Sequence, residues 1–258
     1  MMFLCLRKIS LPMHFFTRRV LCTVILLVIC LLSIYGHSSA QVTVNTAIVH
    51  FKFGQRPVIN VEVGNSSEHT AYVVVQVMAV PNPALDSSMT VETEELLVSP
   101  RNFSIEPNGQ RTVRLLLRKP PGDEEMVYRV SFIPQDRGFG DEVERDLGGG
   151  ATAVIRILSG MGILVFADPV DPKSKLEWTR SGDLLTFVNS GNVHVFLGDG
   201  ESCQGERGGE SCEKLPSKRL YAGQSFEVSI PQSRTAFYLI KKGASGDYQR
   251  IQISPENE

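Results

Sequence analysis

Catalysis or metal binding needs histidines, carboxylates or cysteines that converge, and the chain offers few sets that could do so. Of its five histidines, His14 and His37 lie in an N-terminal segment of export character. His50, His69 and His194 remain, and none sits in a metal or nucleophile motif. Glu92 and Glu94 alternate on one face of an expected strand, which reads as a solvated face, with Glu95 beside them. Asp141-Glu142-Val143-Glu144-Arg145-Asp146 is an acidic run in an expected loop, without the ligand spacing of a dedicated calcium site. Gly148 to Gly150 are not followed by Gly-Lys-Ser/Thr and lead into a strand, so they do not form a phosphate loop. No catalytic residue, metal site, cofactor or nucleotide is assigned. A secreted β-sandwich hydrolase is set aside because no acid/base pair can be named.

The remaining chemistry is that of cysteine in an exported chain. Arg7, Lys8, Arg18 and Arg19 precede an apolar run from Val20 to Tyr35, and Ser38-Ser39-Ala40 supplies small residues for cleavage. We read residues 1–40 as a signal peptide, beginning at Met1 or at Met13. A retained anchor is the alternative, although the run of 16 residues is short for a span of about 20. Cleavage removes Cys5, Cys22 and Cys30 and leaves Cys203 and Cys212, nine residues apart. An even pair in an exported protein predicts one disulfide. Closing a loop of about ten residues contributes roughly 2–3 kcal/mol in the chain-entropy model. The competing reading is a two-cysteine metal site, for which His194 is the only histidine nearby in sequence. The mature chain carries 22 basic against 28 acidic residues, a formal balance of −6, which argues against nucleic acid as a partner. The sequons at Asn65 and Asn102 matter only in a eukaryote, and the chain reads as bacterial.

The elements that must position these groups are strands. No stretch sustains helical periodicity; short β-branched runs alternate with Gly, Pro, Asn and Asp clusters. Strands are expected over 42–51, 57–63, 71–80, 90–98, 111–118 and 126–133. Asn65-Ser66-Ser67 and Pro107-Asn108-Gly109 mark turns. A polar loop over 135–150 then leads to a long apolar seventh strand, 151–166. Pro169 and Pro172 in DPVDP break the chain as a stiff linker. Shorter strands are expected over 175–179, 183–189, 193–198, 218–221, 225–230, 236–241 and 248–253. Seven short strands in each half predict an all-β fold of two tandem immunoglobulin-like β-sandwich domains after the signal peptide. Their expected bounds are 41–168 and 169–258, the second carrying the disulfide.

The seventh strand, ATAVIRILSGMGILVF, is apolar on both faces: Ala153, Ile155 and Ile157 alternate with Val154, Arg156 and Leu158. Such a strand is either a core strand or an edge awaiting a partner. As an edge it would bind by strand addition, backbone hydrogen bonds giving affinity and alternate side chains specificity. Gly160 and Gly162 allow a bend that separates a lending half from a half committed to its own domain.

The ordered set Glu95-Leu96-Leu97-Val98-Ser99-Pro100, Tyr128-Arg129-Val130-Ser131-Phe132 and Gly162-Ile163-Leu164-Val165-Phe166-Ala167-Asp168-Pro169 resembles a known family. So do Leu184-Leu185-Thr186-Phe187-Val188-Asn189-Ser190-Gly191-Asn192, the cysteine pair and Tyr221-Ala222-Gly223-Gln224-Ser225. The family is that of the periplasmic pilus-assembly chaperones of the chaperone–usher pathway, with the alternate branch of the common pilus nearest. The resemblance spans nearly the whole mature chain. It implies a periplasmic chaperone that completes an unfinished pilin sandwich with its own strand and delivers the subunit to an outer-membrane usher. It implies Ile155 and Ile157 as main donors, with Ala153 weaker. The family's better-known branches anchor the subunit's terminal carboxylate through an arginine on the first strand and a lysine late on the seventh. Ile48 and Leu164 stand at those positions here, so Arg129 and Arg156 are the candidate anchors, with a structural salt bridge on an interior strand as the alternative reading for Arg129. The rival reading is a structural pilus subunit or adhesin, and self-association through the donor strand is left open.

Overall fold

The structure, a computed structural model, describes residues 42–85, 89–119, 121–136, 141–146, 152–244 and 246–255, with the backbone alone over 141–146 and 152–157. The expected signal peptide lies outside the described residues. Among the described residues no helix is long and apolar enough to cross a membrane.

The fold is all-β, and the elements follow from side chains alternating along each strand. The first half holds β1 (Val42–Val44), β2 (Ile48–Phe51), β3 (Val58–Asn65), β4 (Ala71–Val80), β5 (Val91–Glu92) and β6 (Leu96–Ser99). It continues with β7 (Asn102–Ile105), β8 (Gln110–Leu117), β9 (Met126–Pro134), β10 (Asp141–Asp146), β11 (Thr152–Ile157) and β12 (Met161–Ala167). One sheet runs β1-β3-β8-β6; the other runs β2-β12-β9-β4-β5, with β7 also on β4. In β4 the residues Ala71, Val73, Val75, Val77 and Ala79 are buried, while Gln76 between them is exposed. They meet Leu96, Val113, Leu115, Val130, Phe132, Ile163 and Val165 in one core. Each large side chain buried there contributes roughly 1.5–3 kcal/mol of transfer free energy.

The second half holds β13 (Leu176–Ser181), β14 (Leu184–Asn189), β15 (Val195–Cys203), β16 (Glu213–Leu215), β17 (Lys218–Leu220), β18 (Ser225–Ser229), β19 (Thr235–Lys242) and β20 (Tyr248–Ile253). Its sheets run β13-β14-β18 and β16-β15-β19-β20, with β17 also on β15. A separate core forms from Leu185, Phe187, Leu197, Leu220, Ile230, Tyr238 and Ile240. Cys203 and Cys212 are joined in a disulfide with Cα atoms 4.1 Å apart, which rules out the two-cysteine metal reading.

Several expected elements are corrected. Residues 42–51 form two strands rather than one: β1 pairs with β3 in one sheet, and β2 pairs parallel with β12 in the other. Asn45 holds the crossing, its backbone N donating to Glu62 O and its Oδ1 accepting from Glu62 N. Residues 90–98 likewise divide, β5 joining β4 and β6 joining β8, so Glu92 and Glu94 do not share one strand face. β7 and β16 are too short to announce themselves. The acidic run 141–146 is strand β10 and not loop, because β11 offers it a partner.

The seventh strand is two strands. β12 lies in the six-stranded sheet between β9 and β2. β11 leaves that sheet and pairs antiparallel with β10 in a two-stranded ribbon, Val143 opposite Ile155 and Asp141 opposite Ile157. The break falls at Leu158–Gly160. A Cβ on Gly160 would sit 2.7 Å from the carbonyl oxygen of Phe132, so the backbones meet where only glycine fits. Gly162 has no such close neighbour, so the bend belongs to Gly160.

Candidate functional site

Two rows of side chains cross the outer face of the six-stranded sheet. Register places Met78, Arg129, Leu164 and Ile48 side by side on β4, β9, β12 and β2. Ile48 and Leu164 therefore adjoin each other, and Arg129 is the next residue along that row. Arg129 is half-buried, and Ile48 at the row's end is exposed. The second row is Val80, Val127, Phe166 and His50, displaced by two residues along the strands. Val80, Val127 and Phe166 form a buried cluster with Leu164 and with Tyr221 of the second sandwich.

The second sandwich closes over that row. Register aligns Arg219, Phe196 and Lys241 on β17, β15 and β19. The Arg219 guanidinium lies 5.0 Å from the Phe166 ring centroid and 5.9 Å from that of Phe196. Cations are drawn to the negative face of an aromatic ring. The His194 ring lies tilted against Phe166 at 4.2 Å and stacks on His50 at 5.7 Å, and His50 stacks on Phe166 at 5.3 Å. The His194 backbone N donates to Glu125 Oε2 at 3.1 Å, and its Nδ1 lies 2.8 Å from both Glu125 oxygens. Both side chains are buried, so this is a hydrogen-bonded pair shielded from water.

The motifs of the second half build this junction. Asn192 donates through Nδ2 to Asp123 O at 2.7 Å and to Asp171 O at 2.9 Å, and its Oδ1 accepts from Lys173 N at 2.6 Å. Gln224 donates to Ala84 O at 2.9 Å while its Oε1 accepts from Tyr221 N. The proline linker is tacked down as well, Pro169 being buried and Val170 N donating to Gly122 O.

Burial, first of all, pushes His50 down to about 4, and the nearby His194, Lys241, Arg219 and Lys52 act in the same direction. Asp168, buried behind β12, is pushed up by burial and then by the charge of Glu125. Tyr128, which donates to Glu95 Oε2 at 3.1 Å, is also pushed up, by burial first. The junction groups were missed in the sequence because His50, His194 and Glu125 share no motif and meet only through register.

Of the expected site residues, Arg129 is placed on the outer face beside Leu164 and Ile48. Ala153, Ile155, Ile157 and Arg156 lie on β11 of the ribbon, where their side chains fall outside the described residues. Among the described residues, the one group of metal-ligand type is Glu201 with Cys203 and Cys212, and both cysteines are spent in the disulfide. Asn65 of the first sequon is buried and donates to His69 O, Ile105 O and Glu106 O, a structural role that leaves no amide for a glycan.

Two sandwiches that grip each other by hydrogen bonds and stacked rings, with a β-ribbon outside both sheets of the first, make up the all-β fold. Residues 41–156 match the family model described as pili and flagellar-assembly chaperone, PapD N-terminal domain. Comparison with curated proteins gives no match. Among solved structures the chain is similar to the class 5 fimbriae chaperone CfaA, at 20% identity over 82% of this chain and 97% of that one, with a TM-score of 0.55. It is similar to the Pseudomonas aeruginosa CupB2 chaperone, at 14% identity over 82% and 100%, with a TM-score of 0.55. It also matches a structure of the Salmonella enterica SafA pilin in complex with the SafB chaperone, at 17% identity over 85% and 98%, with a TM-score of 0.56.

Proposed function

We propose that the protein is a periplasmic chaperone that holds pilus subunits by donating strand β11 and passes them to an outer-membrane usher. The observation that carries this reading is the pairing of β11. Among the described residues it has one neighbour, β10, and belongs to neither sheet of the sandwich. An unpaired strand edge offers backbone donors and acceptors to another chain. Ala153, Ile155 and Ile157, alternating along it, are the proposed donors into an unfinished pilin sandwich. Two buried isoleucines would contribute roughly 3–6 kcal/mol of transfer free energy before ordering costs. The similar structure containing a pilin with its chaperone supports pilin as the client class.

The proposed domain division lies at 168/169, after a signal peptide over 1–40. Arg129 and Arg156 are the proposed anchors for the client's terminal carboxylate. Arg129 adjoins Leu164 on the outer face of the sheet, and Arg219 adds a cation from the second sandwich. The fold is put to use as a binding surface, with no catalytic step assigned to it.

The test replaces Ile155→Asp and Ile157→Asp together. The variant is expected to fold, to stay in the periplasmic extract, and to lose co-purifying pilin. Pilin recovered with the variant at the unaltered yield would remove the donor-strand mechanism. Recovery of the protein itself in sheared surface material would make it a fibre subunit instead.

A further inference from the structure

The junction between the sandwiches contains titratable groups to which the proposed function assigns no role. His50 on β2 and His194 before β15 stack at 5.7 Å, with the Phe166 ring against both. His194 is held by Glu125, which accepts from both its backbone N and its Nδ1. His50 has no such support: its Nδ1 is buried and has no hydrogen-bond partner among the described residues. The charged groups facing it are Arg219, Lys241 and Lys52, with His194 alongside. One oxygen of the buried Asp168 also lacks a partner, near Glu125, His194 and Lys52.

We propose that this junction is an acid-sensitive latch, in which proton uptake by His50 loosens the grip of the second sandwich on the first. A proton on Nδ1 would create a cation that has no acceptor and stands among three other basic side chains. Relief requires the buried Nδ1 of this half-buried ring to reach water, which means separating it from Phe166 and His194. The same separation uncovers the Val80, Val127 and Phe166 patch beneath Tyr221. The direction follows from linkage. His50 in the closed junction is held down to about 4, whereas a solvated histidine titrates near 6.5. The closed form is therefore favoured fully above 6.5 and loses that advantage as pH falls from there through about 4. Asp168 acts the other way, since its carboxyl is pushed up and acid relieves its repulsion from Glu125. The proposal does not depend on the chaperone reading, because it concerns how the two sandwiches hold each other.

The test follows the His50 ring by NMR and the radius of gyration by small-angle scattering on the purified exported protein, from pH 7.5 to 4. The His50 ring is expected to titrate below pH 5, and the particle to expand over the same interval. His50→Phe, which keeps the stacking and removes the proton site, is expected to keep its neutral-pH radius at pH 4.5. A His50 titration near 6.5 without expansion would overturn the latch, as would expansion of His50→Phe at the same pH as the unaltered protein. If His50→Phe does not fold, the paired titration and scattering curves of the unaltered protein decide alone.

Discussion

Asn65 and Asn189 end corresponding strands in the two sandwiches and do the same work. Asn65 donates to His69 O, four residues on, and to Ile105 O across the domain, while its Oδ1 accepts from Ser67 N. Asn189 donates to Val193 O, again four residues on, and to Leu220 O, while its Oδ1 accepts from Gly191 N. Each amide is buried and satisfies carbonyls that would otherwise be stranded, and stranding a buried polar group costs about 1–3 kcal/mol. Asn65→Ala and Asn189→Ala should each destabilise the protein by about 2–3 kcal/mol, read as a lowered urea midpoint. Asn102, also in a sequon, is exposed on β7 and should tolerate alanine with little change, which makes it the control.

At the scale of elements, the decisive feature is the break that divides the expected seventh strand. Gly160 lies against the β9 backbone, and a methyl group there must push Phe132 or shift the start of β12. Gly160→Ala should therefore cost about 1–3 kcal/mol, the usual range for overpacking. Gly162 pairs with Ser131 inside β12 and has room for a Cβ. Gly162→Ala should be neutral or stabilising by up to about 1 kcal/mol, since alanine loses less chain entropy on folding. Equal effects in thermal denaturation would mean that the ribbon does not depend on this bend. In β15 another local rule is overridden. Gly198-Asp199-Gly200 looks like a turn, yet the strand runs through it with a shift of register between Gly198 and Glu201. Asp199 takes a positive φ of 48° at that bulge.

For the whole molecule, the two cores are separate while the junction is made of specific polar contacts. Asn192 ties Asp123 of the first sandwich to Asp171 of the linker, and Glu125 N donates to Asn192 O at 3.0 Å. Such contacts couple two domains more than they stabilise either one. Asn192→Ala should cost about 1–2 kcal/mol of coupling. Calorimetry should then resolve two unfolding transitions, against one expected for the unaltered protein. A single unshifted transition would place the coupling elsewhere, in the Val80, Val127, Phe166 and Tyr221 cluster.

Alternation along each strand is a property of neighbouring residues, so the sequence alone announced the all-β class and the two sandwiches. The cysteine pair was legible for the same reason, being a local pattern. Strand switching was not legible: the β1–β2 segment reads as one apolar run, and only pairing with β3 on one side and β12 on the other divides it. Nor was the junction. His50, Phe166, His194 and Arg219 are far apart along the chain and come together through parallel and antiparallel register, which the tertiary structure sets by burying both cores at once. The apolar alternation of β11 was visible in the sequence. That its backbone leaves the sheet at Gly160 depends on the close approach of Phe132, a contact between strands that no single stretch of sequence contains.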